Sequence, residues 1–222
     1  MTFLQMCKEV NTLCGMQGNY VSASGATGYQ ATLAQMVINA WIDIQSLRKD
    51  WHFMRTSRTF NTVIGTTEYS LTTIWGGSTV DLAYWVPGMI LYTDSNSFDT
   101  QLREFSYNAY ILNEVEQQSN TLPELFAQDP VDKHLWLNPP SIVGTITCHY
   151  QTLPITLSAN TDVPTLPAQF HKAIVYRAAA DMAAFMGNGS TYQLYTQKAD
   201  AMIGSLLRSE NPGVKVRTEG IA

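Results

Sequence analysis

Four histidines are the chain's readiest ligands and proton carriers: His52, His134, His149 and His171. No two stand at the i, i+4 spacing that puts a pair on one helix face, so nothing points to a metal centre. Hydrogen-bonded or surface roles are expected instead. Cys7, Cys14 and Cys148 include no Cys-x-x-Cys pair, so the thiols are read as reduced and buried rather than as zinc ligands or a redox couple. Carboxylates pair along the chain as Asp94 with Asp99 and Asp129 with Asp132. Two carboxylates at one site could do general acid–base work. Here they neighbour Pro, Ser and Asn, the composition of turns, where an Asp side chain accepts from nearby backbone N–H groups. The glycines at 15, 18, 25 and 28 lie between expected helices rather than after a strand, the wrong context for a loop that cradles phosphate. Asn188-Gly189-Ser190 has the letters of a glycosylation sequon but reads as a turn between helices. No nucleophile elbow or nucleotide fingerprint occurs. No cofactor, no metal and no enzyme activity is expected.

Composition narrows the remaining classes. The chain has 222 residues, of which 45% are hydrophobic, enough to bury a real core in one domain, or in one with a small annex. Charged residues make up only 14%, against roughly 25% in ordinary soluble domains. A polar but weakly charged surface suits a subunit covered by other subunits; a monomer with a neutral polar surface is the plainer alternative. The net charge is −5, and no basic cluster exceeds Arg48-Lys49. A tight nucleic-acid binder needs a basic footprint to gain from counterion release, so such binding is not expected. An acidic wall that DNA slides past is compatible with these numbers. The first residues lack the basic-then-apolar pattern of a secretion signal. No apolar run approaches 18 residues, so no membrane span is expected.

The elements that would position these residues follow from periodicity. Phe3, Leu4, Met6, Cys7, Val10 and Leu13 recur near every 3.6 residues, predicting an amphipathic helix over residues 2–14. A Gly-, Ser- and Asn-rich loop follows over 15–28. The longest helical stripe runs over 29–51, through Leu33, Val37, Trp41, Ile44, Leu47 and Trp51, roughly 30 Å long. Residues 55–154 are β-rich. Strands are expected on either side of Gly65-Thr66-Thr67, a turn at Ile74-Trp75-Gly76-Gly77, and strands over 79–85 and 89–92 joined by Val86-Pro87-Gly88. Further strands are expected over 102–105, 123–128 and 133–138, with a short helix over 109–118. Leu135 to Pro154 reads as a hairpin. Pro139 and Pro140 stop one strand and Gly144 eases the chain into the next, with Leu135 and Leu137 on one face and Ile146, Cys148 and Tyr150 on another. Two more helices close the chain, one starting at Pro167 and carrying Phe170, Ile174, Ala178, Met182 and Phe185, the other over 191–209. The expected fold class is therefore α+β: N- and C-terminal helices form a bundle and an antiparallel, sandwich- or barrel-like β-rich domain is inserted between them. The domains would be 1–54 with 155–210, 55–154, and an extended tail over 211–222. The alternating tail is either frayed or an added strand on a partner.

Several of these pieces, in this order, resemble the head-to-tail adaptors (connector or tail tubular proteins) of short-tailed bacteriophages and their relatives. They are Ala40-Trp41-Ile42-Asp43-Ile44-Gln45 with Trp51-His52-Phe53-Met54, the run from Phe60 to Leu71, Leu135-Trp136-Leu137-Asn138-Pro139-Pro140, Tyr150-Gln151-Thr152-Leu153-Pro154, and Leu166 to Lys172. The family often has Pro where this chain has Thr72. The resemblance implies a structural virion protein, made in the host cytoplasm, that forms a ring of about twelve subunits beneath the portal. It would join capsid to tail and line a channel that DNA crosses without specific binding, with a tail nozzle or fibre protein below. It implies portal contacts by the C-terminal segment, here Val214, Lys215, Val216, Arg217, Thr218 and Glu219. Contacts to the neighbouring subunit are expected from the long helix and its exit, at Gln45, Arg48 and Trp51. The competing reading is a lectin-like β-sandwich in which Trp75, Tyr84 and Trp85 stack on a sugar; the direction in which those rings point separates the two.

Overall fold

The computed structural model describes residues 1–16, 19–77, 81–112 and 122–210. Among them are six α-helices and two four-stranded sheets. The chain divides into two compact units, Met1–Phe53 with the chain from Pro154 onward, and Met54–Leu153. The α+β class read from the sequence is observed; the sheets are open, so the inserted part is sandwich-like and not a barrel.

The first unit is helical. Helix α1 (Phe3–Leu13) opens on a reciprocal cap in which Thr2 Oγ1 accepts from the Gln5 N–H and Gln5 Oε1 accepts from the Thr2 N–H. Two otherwise orphaned donors are thereby satisfied. Phe3, Met6, Cys7 and Val10 fall at i, i+3, i+4 and i+7 and are buried. Each contributes about 1.5–3 kcal/mol of transfer free energy. Helix α2 (Gly28–Ser46) buries Leu33, Val37, Ala40, Trp41 and Ile44. It ends five residues before the predicted limit, and Leu47 is half exposed. The reason is Trp51, whose fully buried indole N–H turns back to the carbonyls of Ile44 (3.1 Å) and Gln45 (3.0 Å). A residue continuing the helix could not donate to carbonyls six and seven positions earlier, so the indole can cap these last-turn acceptors, one of which also accepts from the Leu47 N–H, only where the helix stops. Helix α5 (His171–Phe185) packs against α1, α2 and α6 (Gly189–Glu210). Ala173, Ala178, Ala179, Ala180 and Ala183 are all buried there, and their small size allows close approach from several sides.

The Gly-rich loop is anchored rather than free. Asn160 Oδ1 accepts from the N–H groups of Ala23 (2.8 Å) and Ser24 (3.0 Å), and Asn160 Nδ2 donates to Ser22 Oγ. Burial pushes the Cys7 thiol up to about 12. The other buried thiol, Cys148 in the second unit, is pushed up to about 12 for the same reason.

The second unit is a sandwich. One sheet has the order β1-β8-β3-β4, from β1 (Arg55–Asn61), β8 (Gly144–Thr152), β3 (Leu82–Asp94) and β4 (Asp99–Gln101). The other has the order β2-β7-β6-β5, from β2 (Glu68–Tyr69), β7 (Leu135–Leu137), β6 (Leu125–Gln128) and β5 (Arg103–Glu104). All pairs are antiparallel except β5 with β6. Phe60, Ile90, Tyr92, Ile146 and Cys148 from the first sheet share one core with Tyr69, Phe126, Leu135 and Leu137 from the second.

Three expectations are corrected here. Residues 135–154 are not a hairpin, because β7 and β8 lie in opposite sheets. Pro139 and Pro140 lack the N–H groups a paired turn would use, and the chain crosses the sandwich there. Gly144 begins β8 under crowding: a Cβ would sit 2.4 Å from the Thr93 carbonyl oxygen and 2.6 Å from the Tyr92 ring. Val86-Pro87-Gly88 is not a connection either. Residues 86–89 of one continuous strand bulge out opposite the single residue His149, between the pairs Trp85–Tyr150 and Ile90–Cys148, with Gly88 at φ 73°. Ile74 and Trp75 end a short helix, α3 (Leu71–Trp75), rather than forming a turn. Ser70 Oγ caps its start, accepting from the Thr73 N–H, and Gly76 at φ 66° ends it. Of the helix expected over 109–118, α4 (Tyr107–Leu112) is described and residues 113–121 lie outside the described residues.

Candidate functional site: interaction surfaces

The residues that could have supported catalysis are engaged in structure. Asp94 Oδ1 accepts from the N–H groups of Asn96 and Phe98, both at 2.8 Å, and thereby closes the β3–β4 turn. Asp99 accepts from Thr93 Oγ1 at 2.7 Å. Asp129 accepts from the Val131 and Asp132 N–H groups in the β6–β7 turn. Those backbone donors hold its carboxyl below the usual carboxylate range. His134 Nδ1 lies 2.5 Å from Glu68 Oε1 across neighbouring strands. His171 is buried, with Nε2 2.8 Å from the Leu166 carbonyl, and burial holds it below the usual imidazole value. Among the described residues no group of three His, Cys, Asp or Glu side chains is placed to hold a metal ion.

The aromatic set proposed for a sugar packs on itself. Trp85 is fully buried, and its indole N–H donates to the Lys133 carbonyl at 3.0 Å. Trp75 stacks on it with ring centroids 5.4 Å apart, and Tyr150 meets both rings edge-on. Tyr84 is half-buried. These rings are committed to the core and its margin, which leaves no coplanar exposed platform for a sugar.

The α2 exit is a latch closed within its own unit. Gln45 is buried; its Nε2 donates to the Ile155 carbonyl (3.0 Å) and its Oε1 accepts from the Ile155 N–H (2.9 Å). Trp51 is buried as described above. Within this unit both side chains are buried rather than exposed: Trp51 folds back on the end of α2 and Gln45 turns toward Ile155. Arg48 is different. It grips the Asp50 carboxylate with Nε and Nη2 at 2.9 and 2.7 Å, and its guanidinium lies over Trp51 at 5.5 Å from the ring centroid. The Asp50 carboxylate holds the guanidinium firmly in its charged form. Glu210 completes the corner, accepting from the His52 N–H at 2.7 Å. The expected portal segment, residues 214–219, lies outside the described residues.

Two apolar surfaces were not singled out from the sequence. At the α5–α6 turn, Phe185 is 65% exposed and Met186, Tyr192 and Leu194 are also exposed. The sequence stripe placed Phe185 in the core, but α5 has run past its neighbours by that point. At one end of the sandwich, Val63 and Ile64 are 59% and 58% exposed, near Ile142 and Val143. The loops carrying them are tied together by Thr62 N–H to the Gly144 carbonyl (2.8 Å) and Gly65 N–H to the Pro140 carbonyl (3.1 Å). Four β-branched residues on two joined loops form an apolar tip of the kind that marks protein contact. A third feature, in the helical unit, is a groove of about 330 Å³ lined by Asp43, Ile44, Leu47, Arg177, Asp200 and Ile203.

The whole arrangement offers contact surfaces and capped turns. Among the described residues no helix is long and apolar enough to cross a membrane. Residues 1–217 match the family described as SU10 adaptor protein. No curated protein matches the chain.

Proposed function

We propose, from the premise that this chain belongs to the SU10 adaptor protein family, that it forms an oligomeric ring joining a phage capsid to its tail. As a member of a phage head-to-tail adaptor family it is a structural component of the virion. The finer reading is a ring of about twelve copies beneath the portal, contacting a tail nozzle or fibre protein on its other side. DNA crosses the channel without specific binding. The family match over almost the entire chain carries this reading. The surfaces support it: exposed apolar tips at the α5–α6 turn and at the sandwich end are what a subunit buried among others would keep. A net charge of −5 supports a wall that repels DNA rather than trapping it.

In this reading Arg48 and the α5–α6 turn face the neighbouring subunit, while Gln45 and Trp51 hold the corner in shape behind them. Residues 214–219 reach the portal, with Val214 and Val216 as the apolar contacts. Cross-linking mass spectrometry on purified virions tests the placement. Cross-links from this chain to the portal, and a copy number near that of the portal, are expected. A chain absent from the virion, or present in one or two copies, contradicts the ring.

A further inference from the structure

The only Asn-Gly step in the chain, Asn188-Gly189, falls where α6 begins. Glycine puts the least hindered backbone nitrogen beside the asparagine's own side-chain amide. The backbone of Asn188 is held from both sides. Its N–H donates to the Ala183 carbonyl at 2.9 Å, and its carbonyl accepts from the Tyr192 N–H at 3.0 Å. Its side-chain Oδ1 accepts from Ser190 Oγ at 3.0 Å and from the Thr191 N–H at 3.2 Å. By geometry this is an N-cap, and helix stability alone would account for it. The same two donors also surround the one oxygen that becomes negative if a nucleophile attacks Cγ, as an oxyanion hole does. The nucleophile is adjacent. The Gly189 N–H belongs to the first turn, where α6 itself supplies no acceptor, at the positive end of the helix dipole, which favours loss of its proton. A Cβ at Gly189 would meet no atom within 4 Å, and Asn188, Gly189 and Ser190 are exposed to water.

We propose that Asn188 is a self-modification site at which the folded chain converts its own asparagine to aspartate. The Gly189 nitrogen gives its proton to solvent and bonds to Asn188 Cγ. Negative charge collects on Oδ1, under the Ser190 hydroxyl and the Thr191 N–H. The Cγ–Nδ2 bond then breaks, and the nitrogen leaves as ammonia after taking up protons from water. Water opens the resulting cyclic imide at either carbonyl. Cleavage of the new N–Cγ bond leaves an ordinary aspartate at position 188; cleavage of the original peptide bond leaves a β-linked one. The balance is one water in and one ammonia out. The ordinary aspartate still caps α6, now with a charge that the helix N-terminus favours. The β-linked form lengthens the backbone by a methylene and breaks the cap. Either product places a negative charge at the turn that carries exposed Phe185, Met186 and Tyr192. The inference does not rest on the adaptor reading.

Incubation of the full-length protein in heavy-oxygen water at neutral pH, followed by peptide mapping with mass spectrometry, tests it. The same chain in guanidinium chloride is the unfolded reference. Conversion at position 188 should incorporate one heavy oxygen and run about two- to tenfold faster in the folded protein, the worth of one net hydrogen bond to the developing charge. Ser190→Ala should slow the folded reaction about two- to tenfold and leave the unfolded one unchanged. A folded rate equal to or below the unfolded one overturns the proposal. So does a Ser190→Ala protein that converts as fast or faster, because a purely protective cap shields Asn188 and its loss would expose it. Either result would leave the adaptor reading standing.

Discussion

The helical unit packs with alanines at its central helix and keeps rings for the α2 corner, where the β unit packs with rings throughout its core. Around α5, five buried alanines let helices approach closely, and the unit's polar precision is concentrated in one corner, where Gln45, Trp51 and Glu210 hold backbone groups. In the β unit the core holds Trp85, Tyr69, Tyr92 and Phe126, and the buried hydroxyls are satisfied on backbone carbonyls, as when Tyr92 donates to Ile142 at 2.7 Å. Small-residue packing leaves large apolar side chains to spare at the surface, such as Phe185 and Leu47. Aromatic packing absorbs the largest side chains, and the apolar residues left exposed lie mainly on loops, such as Val63 and Ile64, and on α4, where Leu112 is exposed. The difference teaches where adaptability lies. The β unit presents apolar residues on its loops, and the helical unit presents them on its outer helix faces and at the α5–α6 turn.

If a single corner sets the end of α2, Trp51→Ala is the most damaging change. It should cost about 3–5 kcal/mol in urea unfolding, combining a large cavity with the loss of the indole donor to the Ile44 and Gln45 carbonyls. Trp51→Phe, which keeps most of the volume, should recover much of that loss; equal losses would show that the indole N–H alone matters. In the β unit, Gly144→Ala should cost about 2–3 kcal/mol, since the Tyr92 ring and the Thr93 carbonyl must move. Gln45→Leu should cost about 1–3 kcal/mol by stranding both backbone groups of Ile155. A smaller effect follows from pH. Burial lowers the folded-state value of His171 below its ordinary 6.5, so the unfolded chain binds the proton more readily. Stability is then full above about pH 6.5 and declines as pH falls through that value toward the folded one. Thermal melts from pH 7.5 to 5 should show that decline, flattened in His171→Gln. Phe185→Ser should change stability by no more than about 0.5 kcal/mol while weakening self-association; unchanged association would remove the α5–α6 turn from the contact surface.

The helices were readable in the sequence because their stripes are local: Phe3, Met6, Cys7 and Val10 in α1 are buried as their spacing requires. Leu135 and Leu137 share a buried face for the same reason. What the sequence did not reveal depends on distant partners. Two β-prone runs around Pro139-Pro140 look like a hairpin locally, and only the pairing of β7 with β2 and β6, and of β8 with β1 and β3, separates them. Val86-Pro87-Gly88 has turn composition but serves as a bulge because β8 continues past it. The contact residues were the least visible. Gln45 and Trp51 were expected to meet a neighbouring subunit at the helix exit, yet their partners are Ile155, more than a hundred residues away, and the helix's own last carbonyls.

The central claim is that this chain is an assembly-driven adaptor. The most direct test is the mass of particles formed by the purified full-length protein alone and mixed with purified portal rings, read by mass photometry. The account predicts small species alone and a discrete added mass on the portal equal to a ring of about twelve copies. A monomer whose mass distribution ignores the portal would contradict it.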